Sequence, residues 1–64
     1  MKKVLRLKEA RKARGVSQVT LAKRMGVDQP TVSKWERGAR YPHPHTIAAI
    51  ARALKCKQSE LTET

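Results

Sequence analysis

Three glycines, Gly15, Gly26 and Gly38, stand at intervals of 11 and 12 residues, and Pro42 and Pro44 follow. Glycine and proline are the strongest local breakers, so each segment between these marks has room for one short element. Within the segments apolar residues recur at helical spacing, and none alternates as a half-buried strand would. The spacing therefore predicts an all-α chain of short helices.

Composition bounds what such helices can build. The chain has 64 residues, and Leu, Ile, Val and Phe supply only 12 of them. A chain this short buries a modest fraction of its surface and has room for one domain, without the clefts of most enzymes. With a net charge of +10, from 15 Lys and Arg against 5 Asp and Glu, it borders on disordered composition. Pattern has to decide whether it folds. The charge calls for a polyanionic partner, and duplex DNA, RNA and an anionic membrane all satisfy it. The lone Cys56 has no internal disulfide partner, which suits a reducing cytosol. The longest apolar run, Ile47 to Ala51, falls far short of the roughly 20 residues of a membrane span. Arg6 and Lys8 interrupt any secretory apolar stretch near the start, so the expected location is the cytoplasm.

The first helix is expected from about Lys3 to Arg14, with Val4, Leu7 and Ala10 inward and Gly15 as its stop. Its remaining surface carries Lys2, Lys3, Arg6, Lys8, Arg11, Lys12 and Arg14 against Glu9 alone. The second runs from about Gln18 to Met25, capped by Ser17, with Leu21, Ala22 and Met25 inward and Gly26 ending it. Thr20 stands where a Glu would complete a capping box. The third runs from about Gln29 to Arg37, capped by Asp28, with Pro30 tolerated in its first turn and Val32 and Trp35 inward. A loop, Ala39 to His43, leads to a fourth helix that begins at Pro44 and buries Ile47, Ile50, Ala51 and Leu54. A short fifth helix is expected around Ser59 to Thr62, with Leu61 closing the core.

The informative unit is the second and third helices, joined at Gly26-Val27-Asp28. Two short amphipathic helices with a glycine at the turn make a helix-turn-helix, here about residues 17–37. In that arrangement the second helix of the pair enters the major groove, whose base edges carry a distinguishable donor and acceptor code. The run Gly15-Val16-Ser17-Gln18-Val19-Thr20-Leu21-Ala22-Lys23-Arg24-Met25-Gly26-Val27 resembles the first half of the Cro/repressor-type (XRE-type, lambda repressor-like) helix-turn-helix. Val32-Ser33-Lys34-Trp35-Glu36-Arg37-Gly38 resembles its second half, and Pro42 and Ile47 to Leu54 continue the pattern. The resemblance spans roughly Leu7 to Leu61.

It implies a compact fold of five helices, four clear and one short, over a single domain of residues 1–64. It also implies binding to double-stranded DNA, with Gln29, Pro30, Thr31 and Lys34 facing the bases. Gln29 suits adenine, Pro30 a thymine methyl, and Lys34 guanine O6 and N7. Gln18 would brace the third helix and bind phosphate, with Ser33 near the backbone. Arg40 and Tyr41 join the expected phosphate contacts, although Tyr41 reads equally as loop filler. Arg11 and Glu36 occupy positions that often pair beneath the helices, with any phosphate contact by Arg11 secondary. The chain departs from the pattern at Pro30, where a polar residue is common, and at Lys55, Cys56 and Lys57, where Gly, an aliphatic residue and a Ser or Thr cap are usual.

Plainer readings compete. The outward residues of the third helix would pass as solvated surface without the family frame. Trp35 could stack on a base, but its spacing from Val32 places it in the core. His43, His45 and Cys56 fall short of the four ligands of a structural zinc site, so no metal or cofactor is expected.

The leading functional expectation is a sequence-specific transcriptional regulator of bacterial or phage type, a repressor. It would bind an inverted-repeat operator as a homodimer and so associate with the nucleoid. The alternative is an antitoxin that binds a toxin and autoregulates through DNA. A membrane-active basic peptide is disfavoured by the polar start of the third helix. An enzyme is excluded as an expectation, since the acidic residues are dispersed and no phosphate-cradling glycine loop is present.

Overall fold

A computed structural model describes residues 5–62 of the chain. Four α-helices run in order α1 (Leu7–Ala13), α2 (Gln18–Met25), α3 (Gln29–Arg37) and α4 (Pro44–Leu54), followed by a single 3-10 turn at Gln58–Glu60. The boundaries of α2 and α3 follow from their caps. Ser17 Oγ accepts from the Thr20 N–H at 3.0 Å and donates to Thr20 Oγ1 at 2.9 Å. Gly26 closes α2 and Gly38 closes α3, both left-handed at φ 71° and 76°, a conformation that costs glycine nothing.

The helices meet on one apolar cluster. Leu7, Leu21, Val32, Ile50 and Leu61 are wholly buried, and Trp35 lies among them at 6% exposure. The indole is therefore a core residue. Met25 and Cys56 are half-buried at the edge of the cluster.

Two expectations need correction. The first helix is shorter than its periodicity suggests, Leu7–Ala13 in place of Lys3 to Arg14. Leu5 pairs instead with Thr62 in an isolated antiparallel bridge, and the Arg6 N–H donates to the Leu61 carbonyl at 2.6 Å. Pairing with the far end of the chain draws the backbone out of helical geometry before Leu7. Lys2, Lys3 and Val4 lie outside the described residues. The fifth element is a 3-10 turn one residue earlier than expected, held where Glu60 Oε2 accepts from the Lys57 N–H at 3.0 Å.

Lys55 ends α4 at φ 55°, the sole non-glycine with positive φ among the described residues. A side chain there costs about 1–2 kcal/mol, and glycine returns part of that gain as extra entropy of the unfolded chain. Lys55→Gly is therefore expected to stabilise the fold by about 0.5–1 kcal/mol, read as a higher urea midpoint. No gain would mean that the backbone at this cap is unstrained.

Candidate nucleic-acid interface

Burying Val32 and Trp35 turns the opposite side of α3 outward. Gln29, Pro30 and Lys34 are exposed there, with Thr31 and Ser33 half-buried beside them. Asp28 starts the helix, its Oδ1 accepting from the Thr31 N–H at 3.2 Å and from the Thr31 hydroxyl. These hydrogen bonds, the hydroxyl's first, hold the Asp28 carboxyl below the usual range.

Beneath this surface a polar chain crosses three helices. Arg11 on α1 donates through Nε to Glu36 Oε2 at 2.6 Å and through Nη2 to Oε1 at 3.3 Å. Its Nη1 donates to the Val16 carbonyl at 2.8 Å. The two side chains are only 10% and 5% exposed. Burial pushes the Glu36 carboxyl up. Hydrogen bonds from Arg11 and Gln18, with the charges of Arg11 and Lys8, outweigh it and hold the group below the ordinary carboxylate range.

The chain continues outward with a fixed polarity. An ionised carboxylate only accepts, so Gln18 must turn its amide nitrogen toward Glu36, and Gln18 Nε2 donates to Glu36 Oε1 at 2.9 Å. That leaves Gln18 Oε1 facing α3, where it accepts from Gln29 Nε2. One buried anion thus sets which end of the exposed Gln29 amide remains free. Arg11, Gln18, Gln29 and Glu36 are brought together in this network, with Lys34 exposed on the same helix as Gln29.

Three of the other expected residues, but neither Pro30 nor Ser33, gather around an open groove of about 370 Å³ between α3 and the start of α4. Thr31, Arg40 and Tyr41 line it with His43 and Thr46, and Arg40 and Tyr41 are exposed. Ile47 and Thr46 donate their N–H groups to the His43 carbonyl, while the His43 side chain makes no cap hydrogen bond. The rings of His43 and His45 lie 4.4 Å apart. Among the described residues no three His, Cys, Asp or Glu side chains gather as a metal-binding group.

Two arginines have roles that sequence reasoning missed. Arg14 Nε donates to the Leu54 carbonyl at 3.1 Å, and Arg24 Nη1 to the Ala53 carbonyl at 2.9 Å. Both sit on the negative end of α4, where terminal carbonyls lack helical partners. Both stay exposed while they make these contacts, whereas Arg11 is buried and leaves the basic face of α1 one charge short of what its sequence suggests. No local signal marks such contacts, because the partners lie 40 and 29 positions away.

A short helix, a glycine turn and a second helix with its polar face outward define a helix-turn-helix. The profile of the helix-turn-helix family matches residues 7–61, and the chain belongs to that family. It is similar to the Repressor protein C2 of Salmonella phage P22, with 32% identity over 56 residues, 88% of this chain and 26% of that protein. The structure of the P22 c2 repressor with a synthetic operator superposes with a TM-score of 0.74 at 31% identity, covering 84% and 82% of the two chains. The restriction-modification controller protein C.AhdI from Aeromonas hydrophila superposes with a TM-score of 0.79 at 42% identity, covering 86% and 83%. The Antitoxin HigA1 of Mycobacterium tuberculosis is 50% identical over 42 residues, 66% of this chain and 28% of that protein. The chain spans about a quarter of the length of these two curated relatives. No helix among the described residues is long and apolar enough to cross a membrane.

Proposed function

We propose that residues 1–64 form one helix-turn-helix domain of a sequence-specific transcriptional repressor that reads the major groove with the outward face of α3. The observation that carries this reading is the ordered amide chain from Glu36 to Gln29. A surface glutamine without a task is left to rotate; this one is held with Oε1 and one Nε2 proton free. That pair matches adenine, which offers an N6 donor beside an N7 acceptor. Lys34 donates to guanine O6 and N7, and Pro30 packs on a thymine methyl. Gln18 keeps one amide proton for phosphate, as do the donors of Ser33, Arg40 and Tyr41 at the edges of the face. Arg11 acts from beneath, its phosphate contact secondary at most.

The protein acts as a homodimer on an inverted repeat, the arrangement that gives a small reader useful specificity. It works in the cytoplasm on nucleoid DNA, without cofactor, metal or catalysis. The P22 repressor solved with its synthetic operator supports DNA as the partner.

Selection of binding sites from random duplex DNA tests the proposal. An inverted repeat with half-sites about one helical turn apart is expected. Binding without any enriched motif would overturn it. Lys34→Ala should then lose about 1–3 kcal/mol of discrimination at one base pair, whereas Arg37→Ala weakens all sequences alike or none. An unchanged motif for Lys34→Ala would show that α3 is seated differently.

The likeness to HigA1 favours a second reading, an antitoxin that represses its own promoter. A stoichiometric protein partner that arrests growth when expressed alone would support it.

A further inference from the structure

The DNA-reading face leaves His43 and His45 without a task, and their placement is unusual. His43 stands at the N-cap of α4, where Ser, Thr, Asp and Asn are preferred because their side chains accept from the first turn. The His43 ring makes no such bond, and the residue serves α4 through its backbone alone, its carbonyl accepting from the Thr46 and Ile47 N–H groups. The imidazole is exposed and lines the groove beside α3. The His45 ring lies against it at 4.4 Å, tilted by 38°, so His43 is held by ring packing rather than through its nitrogens.

We propose that His43 is a proton-dependent phosphate ligand, which donates to the DNA backbone in its imidazolium form while His45 holds its ring over the groove, so that acidification tightens DNA binding. The inference rests on the major-groove reading above. The groups facing His43 are Thr31 and Trp35 from α3, Arg40 and Tyr41 from the loop, and His45 and Thr46 from α4. No carboxylate is among them, so the anion that pairs with an imidazolium here comes from outside the fold. A phosphate that reaches Arg40 and Tyr41 enters the groove that His43 lines. Arg40 is cationic at every pH and meets that phosphate regardless. Imidazole gains its charge as pH falls from 8 to 5, and both ring nitrogens are then donors. Two imidazolium rings at 4.4 Å repel, so the pair adds one positive charge rather than two. Phosphate contacts carry no sequence information, so acid strengthens binding without changing which motif is preferred.

The test measures affinity for one selected duplex at pH 7.5 and 5.5, each at several salt concentrations, for the unsubstituted chain, His43→Gln and His43→Lys. For the unsubstituted chain, affinity should be about eightfold higher per half-site at pH 5.5 in 0.1 M salt, and log affinity should fall more steeply with log salt by about 0.9, the release of one further counterion. Asp28 and Glu36, both held below the ordinary carboxylate range, keep their charge across this interval. His43→Gln should bind with one affinity and one slope at both pH values, and His43→Lys should show the steeper slope at both. Thermal melting verifies that the variants fold, as expected for an exposed side chain that caps nothing. An unsubstituted chain indifferent to pH, or a folded His43→Gln protein that keeps the pH response, overturns the inference and leaves the DNA-reading proposal standing. Absence of any selected motif for the unsubstituted chain overturns both.

Discussion

Glu36→Ala is expected to cost about 3–5 kcal/mol of folding stability, the penalty for leaving a buried guanidinium without its counter-charge. A chain of 64 residues holds roughly 3–10 kcal/mol in total, so the variant should lose most of its cooperative urea transition. The cost comes from Arg11, which is 8% exposed and keeps only the Val16 carbonyl once Glu36 is gone. Arg11→Met with Glu36→Leu removes both charges and should recover most of the stability, because apolar replacement of a buried pair is often neutral or better. The recovered protein should nevertheless lose the base preference proposed for Gln29, since Gln18 has no anion to orient it. The pair also sets a pH dependence. Glu36 ionises below its ordinary value of 4.5 in the fold, so its contribution is complete above that pH. It falls as pH drops through the lowered folded value, and Glu36→Gln should flatten this acid limb. A Glu36→Ala protein as stable as the parent would remove the pair from any account of the fold.

DNA affinity should fall about 500-fold per half-site between 50 and 200 mM salt. This figure follows from about five neutralised phosphates and a slope near −4.5 in log affinity against log salt. Exposed cations on and beside the outward face of α3, Lys34, Arg37 and Arg40, are among those available for this. Arg11 is subtracted, because its guanidinium is buried and paired with Glu36. Titrating a selected site by fluorescence anisotropy at several salt concentrations gives the slope. A slope near zero would leave the basic surface without a role in binding.

The difference between α2 or α3 and α1 shows what was legible in the sequence. Ser17 with Gly26, and Asp28 with Gly38, bracket their helices with chemistry that acts within a few residues, so the ends can be read directly. The start of α1 has no such bracket. Arg6 makes no side-chain cap, and the helix begins where the pairing of Leu5 with Thr62 releases the chain. A boundary set from 57 positions away leaves no local mark. The same divide runs through the candidate site. Spacing turned the candidate residues of α3 outward, and the family resemblance alone marked them, with Arg11 and Glu36, for the site. The direction of the Gln29 amide emerges only when α1, α2 and α3 are packed, because it passes from Glu36 through Gln18. Arg14 and Arg24 read as surface charge until α4 is seated against them.

The clasp between Leu5 and Thr62 has a mechanical consequence. Leu5 and Thr62 pair antiparallel at the two ends of the described residues, so a pull that separates those ends loads this bridge first. The hydrogen bond from the Arg6 N–H to the Leu61 carbonyl stands between such a pull and the buried Leu7 and Leu61. Tugging on the ends is therefore absorbed at one edge, away from the amide chain that orients Gln29.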